Sequence, residues 1–148
     1  MEGTAQDWLR REEFCYSNCI VIGAGEPLAY ALVENKLVVG DDIDAAAASL
    51  TYVFQNFSIE IDGATFRGGE AAAHSACGWF CQEVNGRLVW ALMSLESGPF
   101  IGLEVGGDWL CFISASGSRW RVHAGDIRSL SVEPSSCASS ARSELSCR

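Results

Sequence analysis

At 148 residues, 49% of them hydrophobic and with five Trp and seven Phe, the chain is long enough to bury a core without staples, and its composition excludes disorder over most of its length. Its net charge of −9 excludes a phosphate backbone or an anionic membrane surface as a direct partner, because no Lys/Arg stripe is present to displace counterions. The acidity is one-sided: residues 1–70 carry twelve acidic and four basic side chains, residues 71–148 seven and six.

The opening residues, MEGTAQDWLRREEF, hold no basic stretch followed by an apolar run. The longest apolar stretch, Ile20 to Val33, is interrupted by Glu26 and is too short to span a bilayer. The expectation is a chain without a secretory signal, acting in the cytoplasm with its seven Cys reduced. Residues 4–14 predict a short helix with Thr4 as N-cap and Trp8, Leu9 and Phe14 facing inward. Cys19 to Ile22 predicts a buried strand ending in a Gly23-Ala24-Gly25 turn. Residues 27–39 fit either a helix opened by Pro27 or a hairpin turning around Glu34-Asn35-Lys36.

Asp41, Asp42 and Asp44 precede Ile43, Ala47, Leu50, Val53, Phe54 and Phe57, an apolar set at helical spacing, and predict a helix over 42–56 with carboxylates at its positive end. Ser58–Arg67 predicts a hairpin through Asp62-Gly63, and the stretch GEAAAHSAC after Gly68 predicts a short helix. From Trp79 onward, β-rich runs separated by Asn85-Gly86, Gly106-Gly107-Asp108 and Ser116-Gly117-Ser118 predict a meander of about five strands, with a last turn or strand at 126–132. After Pro134 the chain is Ser-rich without apolar periodicity. The expected organisation is one domain over 1–133 and a tail over 134–148, with no internal repeat. The fold class expected is α+β: an antiparallel sheet, a meander in its second half, with two or three helices packed on one face.

Four groups of residues bear on chemistry. Ile20-Val21-Ile22-Gly23-Ala24-Gly25 resembles the opening of a dinucleotide-binding Rossmann unit, and Asp41 or Asp42 lies near the distance of its ribose-binding carboxylate. Leu28 stands at the third Gly position, however, and Glu26 would face the pyrophosphate, so the glycines read as a strand-end turn. Cys15, Cys19, Cys77 and Cys81 with His74 have spacings that place ligands on one face if helical, and would make a tetrahedral zinc set or a Cys–His pair. As small apolar residues they fill a core. Arg119, Arg121 and His123 alternate on one face of a strand that buries Trp120 and Val122, an arrangement suited to a small anion or to a solvated face. The carboxylates of Asp41, Asp42 and Asp44 are explained by the start of a helix and are also placed to meet Lys or Arg of a partner.

No catalytic residue, metal ligand or cofactor is assigned. The function expected is a small acidic intracellular binding protein, of the type of an immunity inhibitor that neutralises a basic toxin, possibly a nuclease. Asp41, Asp42, Asp44, Glu60 and Asp62 would cover the cationic cleft around an aromatic anchor, Tyr52 or Trp8. The alternative is a Cys/His-dependent enzyme or zinc domain. The expected partner is a basic protein, with neither nucleic acid nor membrane, and the sequence leaves the oligomeric state undecided.

Overall fold

The computed structural model describes residues 3–43 and 49–135. The chain forms α1 (Ala5–Arg10) and then twelve strands. These are β1 (Glu13–Cys15), β2 (Cys19–Ile22), β3 (Leu28–Val33), β4 (Lys36–Asp42), β5 (Leu50–Ile61), β6 (Ala64–Ala71), β7 (His74–Val84), β8 (Arg87–Ser94), β9 (Phe100–Gly106), β10 (Trp109–Ser114), β11 (Arg119–His123) and β12 (Asp126–Glu133). All twelve join one sheet in the order β1-β5-β6-β7-β8-β2-β3-β4-β12-β11-β10-β9. Every registered pair is antiparallel. Among the described residues α1 is the only helix, so the fold is nearly all antiparallel sheet and not α+β with two or three helices. No helix there is long and apolar enough to cross a membrane.

Turn chemistry explains much of the layout. Glu34-Asn35, Asp62-Gly63, Asn85-Gly86 and Ala124-Gly125 each hold two successive residues at positive φ, the backbone of the tight hairpin turns whose twist matches the strands they join. The 27–39 segment is accordingly a hairpin. The strands expected from Trp79 onward form, with β12 as a further one, but not as a single meander: β8 pairs with β7 and β2, and β9–β12 make a separate run joined to β4.

The helix expected over 42–56 is replaced by the end of β4 and by β5, with residues 44–48 outside the description. The reason lies in β5. Val53 packs on one side of the sheet, while a bulge between Gln55 and Phe57 turns Phe57, Ile59 and Ile61 toward the other. That slip of phase reproduces helical spacing in a segment whose residues, Thr51 to Ile61, are mostly β-branched or aromatic. The short helix expected in GEAAAHSAC is likewise absent, since β6 runs to Ala71 and β7 starts at His74. Gly68 and Gly69 are strand residues. A Cβ on Gly69 would lie 1.8 Å from the Phe54 carbonyl oxygen, and one on Gly68 2.6 Å from the Phe57 ring, so neighbouring β5 approaches closer than any side chain permits.

α1 starts as its sequence implies. The Thr4 hydroxyl accepts from the Asp7 N–H, and the Asp7 carboxylate accepts from the Thr4 N–H at 3.0 Å, a capping box. The helix lays Ala5, Trp8 and Leu9 on the outer face of the sheet, against Phe14, Val21, Val53, Trp79 and Met93. A second cluster fills the inner face, where the sheet folds over so that β9–β12 cover β6–β8 and β2. At its centre the Phe80 ring of β7 stacks on Phe112 of β10 with centroids 3.9 Å apart, and meets Phe100 and Trp90 edge-on at 4.8 and 5.8 Å.

Candidate functional site

In an antiparallel meander every second turn lies at the same end of the sheet. From β5 onward, one end collects Asp62-Gly63, Asn85-Gly86, Gly107-Asp108 and Ala124-Gly125. Register ties the first two together through Ala64↔Val84 and Val84↔Arg87. The indole N–H of Trp90 donates to the Gly125 carbonyl at 2.9 Å, and Ala124 N–H donates to the Asp108 carbonyl, which brings the later two turns to the same end. The β2–β3 turn joins them, its Gly23 N–H bonded to the Val89 carbonyl at 2.8 Å. Ile43 N–H donates to the Pro27 carbonyl at 2.7 Å and Leu28 pairs with Asp42, so the end of β4 meets that turn and sets Asp41 and Asp42 beside Glu26.

This end is acidic. Glu26, Asp41 and Asp42 form one corner, Glu60 and Asp62 the tip of the β5–β6 hairpin, and Asp108 and Asp126 the two later turns; all seven are exposed. None of them takes part in an ion pair among the described residues. Elsewhere some carboxylates are paired, while Glu12, Glu34, Glu70 and Glu96 stand singly without an ion pair among the described residues. Glu83 pairs with Arg67 at 3.1 Å, Glu104 with Arg119, and Glu133 with both Arg119 and Arg121. The basic residues near the acidic end are Arg87, Arg128 and His123, all exposed.

The residues singled out from the sequence divide accordingly. Asp41, Asp42, Glu60 and Asp62 lie at this end, and Asp44 falls outside the described residues. Tyr52 is 62% exposed but sits at the opposite end of β5, paired with Glu13, eight residues from Glu60 and so roughly 26 Å away along a strand. Trp8 is 1% exposed, inside the core under α1, and offers no surface to a partner. Glu26, Asp108 and Asp126 were not read as site residues. The signal for the last two was the alternation of turns, which counts forward from Asp62.

The thiols of the described residues lie in the interior. Cys15, Cys19, Cys77 and Cys81 all belong to the outer core cluster, whereas His74 is exposed, its Nδ1 accepting from the Ala76 N–H at 3.0 Å. Among the described residues no group of three or more His, Cys, Asp or Glu is arranged to hold a metal ion. Burial pushes the Cys81 thiol up to about 12 and raises that of Cys77. Cys15 is the exception: hydrogen bonds from Cys19 and, less, Ser17 bring it down to about 7, against the opposing effect of burial, and Cys19 rises in consequence. The Gly23-Ala24-Gly25 turn leads into strand β3, so no helix N-terminus stands there to receive a pyrophosphate. On β11, Arg119 and Arg121 are engaged by Glu104 and Glu133, and Arg121 also covers the Trp109 ring at 5.1 Å; these arginines serve the outer surface of the sheet.

The acidic end is therefore an exposed set of carboxylates without ion pairs among the described residues, most of them on short, tightly turned hairpins. Such a surface attracts cations and cationic side chains at long range and holds its geometry on contact. Compared with protein-family profiles, curated proteins and solved structures, the chain matches none.

Proposed function

We propose that this chain is a non-catalytic binding protein that docks on a basic protein through its acidic hairpin end, in the manner of an immunity-type inhibitor covering the cationic cleft of an intracellular toxin such as a nuclease. One observation carries the reading: seven exposed carboxylates gather at one end, and none of them has an ion pair among the described residues. Leaving like charges together raises the energy of the free protein, and a cationic partner relieves that repulsion on binding. Trp8 is buried and Tyr52 lies at the opposite end, so neither serves as an aromatic anchor for the contact. Charge carries it, and the binding is fast to form and sensitive to salt.

The test begins with gentle capture of the protein from its own cells and native mass spectrometry. A basic protein at fixed stoichiometry is the expected companion. Neutralising Asp41, Asp42, Glu60 and Asp62 together to Asn or Gln should slow association with that companion by roughly tenfold or more at low salt and flatten its salt dependence. An association rate indifferent to both ionic strength and the four substitutions refutes the reading.

A further inference from the structure

The end opposite the acidic hairpins is built differently. There the sheet opens into a cavity of about 520 Å³, within the range of about 300–1,000 Å³ typical of small-molecule sites. Tyr30 of β3 and Trp120 of β11 form its apolar side, 9% and 4% exposed. The β8–β9 and β10–β11 connections supply its polar side.

That polar side is a linked chain of hydroxyls. Trp120 Nε1 donates to Ser118 Oγ at 3.0 Å; Ser118 Oγ and Ser116 Oγ each lie 2.7 Å from Ser114 Oγ; Ser116 Oγ donates to the Ser97 carbonyl at 2.9 Å. Ser94 Oγ receives the Ser97 N–H at 3.1 Å, which fixes the β8–β9 connection, and Tyr30 OH donates to the Met93 carbonyl at 2.9 Å. Asn18 receives the Leu95 N–H on Oδ1 at 2.7 Å, and no described residue accepts from its amide N–H groups. Ser116 Oγ and Ser118 Oγ each keep a lone pair after these bonds, and Ser94 Oγ, which also accepts the Glu96 N–H at 3.3 Å, keeps its O–H to donate.

The charge of the lining selects among ligands. Among the described residues it contains no Lys, Arg or His, and its one acidic group is Glu96 at the exposed margin. A phosphate or carboxylate would enter without a counter-charge and beside a like charge, which costs several kcal/mol. An apolar guest would leave the hydroxyl chain facing it without water. We infer that this cavity binds a neutral polyhydroxylated molecule of mono- to disaccharide size, its hydroxyls exchanging bonds with Ser94, Ser97, Ser116, Ser118 and Asn18, with Glu96 accepting at the rim and Tyr30 and Trp120 supplying the apolar face.

The test uses the full chain, uniformly ¹⁵N-labelled, titrated to tens of millimolar with glucose, galactose, mannose, N-acetylglucosamine, maltose and cellobiose, and separately with putrescine and acetate. The expected result is saturable shifts from at least one sugar, centred on Ser94–Ser97, Ser116–Ser118 and the Trp120 indole N–H. Ala31→Trp at the exposed rim should weaken that binding by roughly tenfold or more, and Asp41→Asn with Asp42→Asn at the far end should leave it unchanged. Since Ala31 is exposed, an unaltered spectrum away from the cavity certifies that the variant is folded, and Ser116→Ala gives a second, smaller perturbation. Three results overturn the inference: no sugar shifts these resonances, shifts scatter over the surface without saturating, or only putrescine binds and Glu96→Gln abolishes it, which makes the site one for cations. The docking reading is tested by other residues at the other end, so either fails alone.

Discussion

Phe80→Ala removes the ring on which the inner core is assembled. The side chain is fully buried, stacks on Phe112 at 3.9 Å, and meets Phe100 and Trp90 edge-on. Truncation of a buried Phe costs about 3–5 kcal/mol, and aromatic pairs carry roughly 0.5–1.5 kcal/mol beyond area burial. The upper part of that range, about 4–5 kcal/mol, is expected because Phe112 and Phe100 belong to the opposing layer and cannot collapse into the gap without moving whole strands. A domain of this size has about 5–15 kcal/mol in total, so the variant should fold and show a visibly reduced urea midpoint. Urea unfolding followed by Trp fluorescence measures it, with the slope unchanged from the parent. Tyr52→Ala, at an exposed site, should stay within about 0.5 kcal/mol. A loss at Phe80 of less than about 1.5 kcal/mol would mean that the two layers are not held face to face by these rings.

Other substitutions probe the turns, the close approach and the thiols. Gly69→Ala places a Cβ 1.8 Å from the Phe54 carbonyl oxygen and should destabilise by about 3 kcal/mol; a neutral result in thermal melts contradicts the packing of β5 on β6. Ala124 holds a φ of 52°, a conformation that Asn accepts more readily, so Ala124→Asn should raise stability by about 0.5–1 kcal/mol, read as a higher urea midpoint. The Cys15–Cys19 pair releases its first proton near 7 when folded, against an ordinary value of 9.0. Between these values the folded chain binds fewer protons than the unfolded one, so stability should rise from pH 7 toward 9. Above that it should fall, because the raised Cys19 keeps its proton while unfolded thiols lose theirs. Cys15→Ser should remove the rise; an identical pH profile in the two proteins counts against the hydrogen-bonded pair.

Short-range signals located what short-range physics decides. Asp62-Gly63 and Asn85-Gly86 turn where the dipeptides say, because two residues at positive φ are demanded there and these residues supply them. Thr4 and Asp7 cap α1 for an equally local reason. β5 was misread because its bulge is set by contact with Gly68 and Gly69 on β6, and periodicity within one strand carries no record of its neighbour's glycines. The alanines before Cys77 have helical propensity, and pairing between β6 and β7 overrides it. The candidate site followed the same division. Asp41, Asp42, Glu60 and Asp62 were recognisable as exposed acids, but their company with Glu26, Asp108 and Asp126 depends on which turns share an end. The burial of Trp8 depends on which face α1 covers.

The order of strands in the sheet also sets a schedule for making the molecule. β2 lies between β3 and β8, and β4 between β3 and β12, so on a nascent chain the β2–β3–β4 unit emerges with both flanking partners, β8 and β12, still unwritten. Its outward Val33 and Val38 and its unpaired backbone edges stay open to other strands throughout that interval. The β5–β8 meander is a self-consistent run of local hairpins that can assemble as it appears. β12 arrives last of all the strands and joins β4 through Ser131↔Lys36 and the Val132 N–H to the Asn35 carbonyl. The seam that unites the two halves of the sheet is thus the final one sewn, and a ribosome stalled before Asp126 would display a protein with a finished centre and a raw margin.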